Sequence, residues 1–458
     1  MGEGSQPVKT EEQIQRWQPP KPPARKSGQK GVIMVAGAVL VTLAAAGGAS
    51  IALFDVTRVH LGYDAAKAAY LKEGLPWSAE DLRPQPSLPD DKNAGPELLQ
   101  ILIEYAKIKG AQPAEFVTSE DADKVRQHLA VRSHLLDEAK AVLKAKSGLD
   151  FERDWNQGAA LAFSELSPMK SIVRDLCLRA ELHVLEGNTQ GALSDLAAAS
   201  DMAVRASSDQ VLISALVSSA CRTIVCRTVR LIAGGRLQDP VFLRSLEEAV
   251  RPLEAEMVHE GIIRSEAYTH LWALRNLKRI GGLGGFMFTG QGEAQPPDPS
   301  PFADKVDVSG VAERSMAVKS FEFWTKIARE AKRRPNDPIY LFGCLDREAI
   351  AAETSGSSSM AHMKIMLPVF SQAGPALVKH EAVVKATRAL LLAWAERAEG
   401  KQVSRLNQVA GGPWNDPFSD EEFKAKFEKD MILIWSVGKN RKDQGGAPDT
   451  TRHLDDPE

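Results

Sequence analysis

Aromatic residues, cysteines and an excess of charge of either sign are all scarce in this chain. Aromatics make up only 6% of the sequence, while Ala and Leu abound, which favours helices over sheets. Lys and Arg total 57 against 60 Asp and Glu. This near balance lacks the basic excess expected of a nucleic-acid partner. There are four cysteines, Cys177, Cys221, Cys226 and Cys344. None forms a CxxC pair or has a His at metal-ligand spacing, so they read as small buried hydrophobes. Cys221 and Cys226, five apart on an expected helix, point to different sides. A Cys177–Cys221 bond across a helical hairpin stays open for a domain outside the cytoplasm.

One stretch has no charge at all. Val32 to Phe54 is long enough at about 1.5 Å per residue to cross a hydrocarbon core of roughly 30 Å. Lys21, Arg25, Lys26 and Lys30 precede it without an acid between residues 17 and 31, whereas Arg58 and Lys67 beyond it are matched by Asp55 and Asp64. The positive-inside bias puts the N-terminus in the cytoplasm and the rest of the chain across the membrane. Ala44-Ala45-Ala46 could serve as a signal-peptide cleavage site. The tail of about 30 residues and the length of the apolar run argue instead for an uncleaved anchor. Ala44, Gly48 and Ala52 form a small-residue stripe that admits a homodimer through this helix.

The predicted organisation is therefore a mainly α, single-pass protein. Residues 1–31 form a disordered cytoplasmic tail with the Pro-rich Gln18–Pro23, and 32–54 the transmembrane helix. Residues 55–280 form a helical domain, 281–309 a Gly/Pro-rich loop and 310–400 a helical continuation. A C-terminal β-hairpin segment occupies 401–446 and a disordered tail 447–458. Apolar periodicity predicts helices over 56–73, 96–109, 118–148, 168–206 (interrupted by a turn), 209–233, 239–257, 258–280, 310–333, 345–353 and 360–399. Thr118 and Asp121 resemble a capping box. The turn Gly187–Gly191 between two apolar-faced helices carries Leu185, Gly187, Gly191, Ala192, Asp195 and Leu196 in a pattern similar to part of a tetratricopeptide (TPR) unit. Alternation over Phe423–Phe427 and the run Met431–Val437 predict the hairpin.

Few residues offer chemistry. Ser355, Ser357, Ser358 and Ser359 lack a nucleophile elbow, and His128 and His134, six apart, cannot share a metal. Glu256, His259, Glu260, Glu266 and His270 crowd one helical stretch, with Glu256-x-x-His259 the one motif of the kind that di-metal bundles use. A second such motif is lacking, so the stretch reads as a solvated, salt-bridged face. Catalytic residues stay unassigned and no cofactor is expected. The candidate metal ligands are Glu256, His259 and Asp443.

The C-terminal blocks Asn415-Asp416-Pro417-Phe418-Ser419, Leu433–Asn440 and Asp443-Gln444-Gly445-Gly446 resemble the ending of type II secretion major pseudopilins. Together with Leu88–Pro96 and the Gly187 turn followed by Leu212–Val217, they also resemble uncharacterised, membrane-anchored helical bacterial proteins. The resemblance implies a bacterial envelope setting, at the inner (plasma) membrane. In the pseudopilins it also implies a C-terminal calcium loop, for which this chain offers Asp443, Asn440 and Asp416, with Arg441 and Lys442 among them. The apolar run here lacks the glutamate of a pseudopilin start. The expected function is a membrane-anchored scaffold for protein–protein interaction through helical grooves, with the lipid bilayer and a protein as partners. The alternatives are a pseudopilin-related secretion or assembly component and a metal-dependent envelope enzyme. The topology has a direct test: protease added to intact spheroplasts should digest the helical body and spare an epitope on the tail. Digestion of the tail alone would reverse the assigned orientation.

Overall fold

The computed structural model describes residues 62–83, 87–109, 117–118, 120–255, 257, 259–276, 311–334, 337–354, 361–438, 442–443 and 445. All described residues belong to one compact unit, Val59–Glu458. The tail, the apolar run 32–54, the loop 281–309, the serines 355–359 and Glu256 lie outside them.

The body is mainly helical with one two-stranded antiparallel sheet. After α1 (62–72) come α2 (Gly95–Lys107), α3 (Ala122–Ala130), α4 (Ser133–Ala145), α5 (Leu166–Leu185) and α6 (Thr189–Arg205). Then follow α7 (Leu212–Gly234), α8 (Pro240–Val250), α9 (His259–Arg275), α10 (Val311–Arg333), α11 (Pro338–Thr354) and α12 (Ala361–Ala398). The strands are β1 (Lys424–Phe427) and β2 (Ile432–Trp435), in the register Lys424↔Trp435 to Phe427↔Ile432.

Local chemistry sets several boundaries. Gly187, at φ 77°, closes the α5–α6 turn in a conformation that costs glycine little. Asn188 then caps α6 by accepting from Gly191 N at 2.9 Å. Asp239 caps α8 by accepting from Phe242 N at 3.0 Å, and Pro240 fills the first turn. The expected single helix over 118–148 is instead two. Arg132 is buried at the break, donates to the His128 carbonyl at 2.8 Å and faces Asp175 at 3.5 Å. A buried charge must reach its partner, and this pull bends a stretch whose apolar spacing is continuous. The expected helix 345–353 is longer, beginning at Pro338, because Asp337 accepts from Tyr340 N at 2.8 Å and starts the first turn early.

Leu98, Leu136, Met169, Leu176, Leu196 and Met202 lie in the main core, built by α2 to α8 with one face of α12. A second core gathers Tyr70, Phe321, Trp324 and Ile327 between α1, α9, α10 and α11. A third packs α12 against Trp414, Phe418 and Phe423 of the C-terminal segment. Among the described residues one helix, α7, is long and apolar enough to cross a membrane. Its most apolar window is 61% buried inside the body. Its buried Arg222 donates to the carbonyls of Leu253 at 2.6 Å and Ala255 at 2.8 Å, so here α7 is a core helix. All four cysteines are free and buried; the Cys177–Cys221 bond is not formed. Burial pushes the Cys221 thiol up to about 12 and that of Cys226 up to about 11, which keeps them inert.

Asp195, fully buried on α6, takes a bidentate pair from Arg179 at 2.7 and 2.9 Å and a further bond from Lys140. Removing this charge leaves Arg179 without its main partner. Asp195→Asn should cost about 3 kcal/mol by chemical denaturation of the detergent-solubilised protein. Asp123→Asn, at an exposed pair with Arg126, should cost under about 0.5 kcal/mol. Equal losses would refute the assignment.

Candidate functional site

Of the candidate metal ligands, His259 and Asp443 lie among the described residues and Glu256 outside them. His259 opens α9, and its ring lies near the buried His380 of α12. Asp443 accepts from Trp435 Nε1 at 2.9 Å and Gly445 N at 2.8 Å, which holds its carboxyl below the usual range. Asp416 is buried and engages Phe418 N at 3.0 Å, Ser436 Oγ at 2.9 Å and Val437 N at 2.8 Å. Its oxygens staple the approach to β1 onto the end of β2. Among the described residues no group of three or more His, Cys, Asp or Glu could hold a metal ion.

The expectation of a solvated face over residues 256–270 is corrected by α9. Ile262, Ile263, Ala267, Tyr268 and His270 are buried, and His270 Nδ1 accepts from Trp324 Nε1 at 2.8 Å. Glu266 Oε1 accepts from Leu212 N at 2.9 Å and so caps α7. The surface of Glu266 is only partly covered, yet the protein packed around its carboxyl desolvates it and pushes it up to about 7. The i, i+4 spacing of Glu266 and His270 put both on one helix face; tertiary contacts gave them separate partners. Of the four described among the five, Glu260 alone is exposed to solvent.

A polar cleft of about 340 Å³ opens beside Glu260. Four stretches of chain meet there: the 3₁₀ turn Ala79–Leu82, the α4–α5 connection, the α6–α7 connection and the first turns of α9. They contribute Asp81, Asp150, Trp155, Asp209, Gln210 and Arg264. Arg264 donates to the Asp81 carbonyl at 2.9 Å and ties α9 to the 3₁₀ turn. Arg153 pairs at 2.6 Å with Asp209 and also with Glu165, so one buried cation serves two buried carboxylates. Burial pushes the Asp209 carboxyl up; Arg153 opposes this, and neighbouring Glu165 and Asp150 add to it. Gln210 holds φ at 53°, and its side chain lies where a Cβ on residue 261 would fall, so the first turn of α9 requires Gly261. The cleft was missed by sequence reasoning because its residues come from four distant segments. The one local signal was the glycine in a helical first turn.

A second constellation legible only in three dimensions is Ser219, whose Oγ lies 3.0 Å from His380 Nδ1. Both are buried. Burial pushes His380 down to about 3, which leaves its neutral ring a weak base for a hydroxyl proton. The pair is a core hydrogen bond joining α7 to α12.

Compared with known proteins, the chain matches no family model, no curated protein and no solved structure.

Glu266 yields a pH test. Its folded carboxyl holds a proton up to about 7, whereas an unfolded chain releases it near 4.5. The native state therefore binds more protons over that interval, and this group's contribution to stability falls as pH rises from 4.5 to 7 and is flat beyond. Glu266→Gln keeps an acceptor for Leu212 N. It should match wild type near pH 4.5 and exceed it at pH 8 by about 3 kcal/mol. Parallel denaturation curves across this range would refute it.

Proposed function

We propose that this protein is a membrane-anchored interaction scaffold, held at a bacterial inner membrane by residues 32–54 with its N-terminus in the cytoplasm. A partner segment docks on its helical body. The observation that carries this reading is the polar cleft beside Glu260. It has the volume of a small recognition pocket, and hydrogen bonds and ion pairs fix the positions of its walls before any partner arrives. The α5–α6 hairpin supports a TPR-like arrangement, in which stacked hairpins present concave surfaces to peptides.

A second reading, a pseudopilin-related secretion or assembly component, is favoured by Asp416. That carboxylate bonds to Phe418 on one side and to Ser436 and Val437 on the other, joining two of the blocks that carry the resemblance.

The test is affinity purification of the full-length protein from gently solubilised membranes, with metal measured on the same sample. Glu260→Arg, which reverses an exposed charge at the cleft rim, serves as the comparison. The scaffold predicts a stoichiometric protein partner that Glu260→Arg weakens at least about tenfold without lowering the melting temperature, in line with like-charge juxtaposition at an interface. A lone protein carrying stoichiometric metal would overturn the scaffold and move attention to Glu256 and His259. Processing just before Val32 with co-fractionating secretion machinery would favour the second reading.

A further inference from the structure

The C-terminal part of α10 with the residue after it, Lys326–Arg334, carries five cations, Lys326, Arg329, Lys332, Arg333 and Arg334, against the single carboxylate of Glu330. Lys326, Arg329 and Arg333 are spaced three and four apart and share one helix face. α1 lies along this face with Ala66 and Ala69, whose small side chains leave a groove of about 360 Å³ between the two helices.

Thr325 forms part of the groove wall. The residue is 5% exposed, and its hydroxyl has no hydrogen-bond partner. Buried hydroxyls are nearly always bonded. Three other helical threonines satisfy the rule by donating to the carbonyl four residues back, Thr223 at 2.9 Å, Thr269 at 3.0 Å and Thr387 at 2.7 Å, and Thr228 donates to Glu181. Thr325 departs from that pattern at the place where cations gather.

The geometry points to a binding site for a phosphate group in the α1–α10 groove, with Lys326, Arg329 and Arg333 at its rim and Thr325 in its wall, whose hydroxyl, now shielded from solvent, turns toward the bound group. Each cation now faces a carboxylate: Lys326 pairs with Glu348, Arg329 with Glu73 at 2.7 Å and Arg333 with Glu330 at 2.8 Å. These cation side chains are 57%, 52% and 72% exposed, and exposed pairs are weakly held, so they can turn toward a stronger anion. Glu73 and Glu348 are not part of the groove lining. Glu322 and Glu330 are, but Glu322 is paired with Lys319 at 2.7 Å and Glu330 also accepts from the Tyr340 hydroxyl at 2.7 Å. Three cations against two carboxylates leave the lining with a charge of +1. A phosphate offers oxygens for the arginine forks and an acceptor for the unsatisfied hydroxyl at once, which a single carboxylate does not. The group could belong to a phospholipid headgroup, which suits an anchored protein, or to a free phosphate.

The experiment uses the full chain in an uncharged detergent. Its melting temperature is followed on titration with inorganic phosphate, with short-chain phosphatidylglycerol, and with detergent alone as reference. Thr325→Val and Lys326→Gln are measured in parallel. Thr325→Val removes a hydroxyl that makes no bond, so without ligand it should melt at or above wild type. A rise with phosphate identifies the free ion, and a rise with phosphatidylglycerol alone identifies the headgroup. Either supports the site if both variants bind about tenfold more weakly, the loss of one charge-assisted bond. No response to either probe, or an undiminished response in both variants, would overturn it. The result does not depend on whether a partner co-purifies, so this site and the scaffold can fail separately.

Discussion

A buried carboxylate that has to be answered by cations from neighbouring helices is the constraint on which this body depends. Asp195 is the clearest case. It sits on α6, is neutralised by Arg179 of α5 and Lys140 of α4, and fixes the rotation of three helices about one another. The pattern repeats. Asp175 on α5 gathers Tyr105 of α2, His128 of α3 and Arg132 at the α3–α4 break. Glu247 on α8 binds Arg388 of α12 and Arg251; Glu181 on α5 is answered instead by neutral donors, the Thr228 hydroxyl of α7 at 3.0 Å and Val117 N at 3.1 Å. Apolar burial drives these helices together without choosing an angle. Charges that are expensive to strand leave few alternative arrangements.

The same economy shapes the cleft beside Glu260 and the α1–α10 groove. At the cleft beside Glu260, Arg153 is shared between Glu165 and Asp209, and the balance of charge falls on the acidic side. At the α1–α10 groove the balance is reversed, and a buried hydroxyl stands unsatisfied. At the cleft the polar groups are held by secondary structure and by fixed partners, whereas the groove cations sit in exposed, weakly held pairs. The C-terminal hairpin is organised differently. Its placement rests on one carboxylate, Asp416, and on Trp414, Phe418 and Phe423 packed against α12.

Much of the architecture was legible in the residues. The Gly187 turn with its flanking apolar stripes gave the α5–α6 hairpin, and the alternation over Phe423–Phe427 gave β1, because period and turn chemistry are local properties. The α3–α4 break was not legible, since the apolar spacing runs through it and the cause, Asp175, lies more than forty residues away. For the site, residues 256–270 attracted attention for sound reasons of spacing, yet spacing says which residues share a face and not what that face meets. Among the described residues of that set Glu260 borders the cleft, while Glu266 and His270 turn to a helix end and to an indole.

Sequence by itself determined the helical character, most helix limits, the C-terminal hairpin and the charge-free run 32–54, all of which follow from composition and near-neighbour patterning. Tertiary structure alone decided which charges would be buried and with whom, and where concave surface would remain. Ion pairing and cavity shape depend on residues brought together from distant parts of the chain, as Arg153 is to Asp209 and Ala66 to Arg329. No local pattern encodes such a meeting.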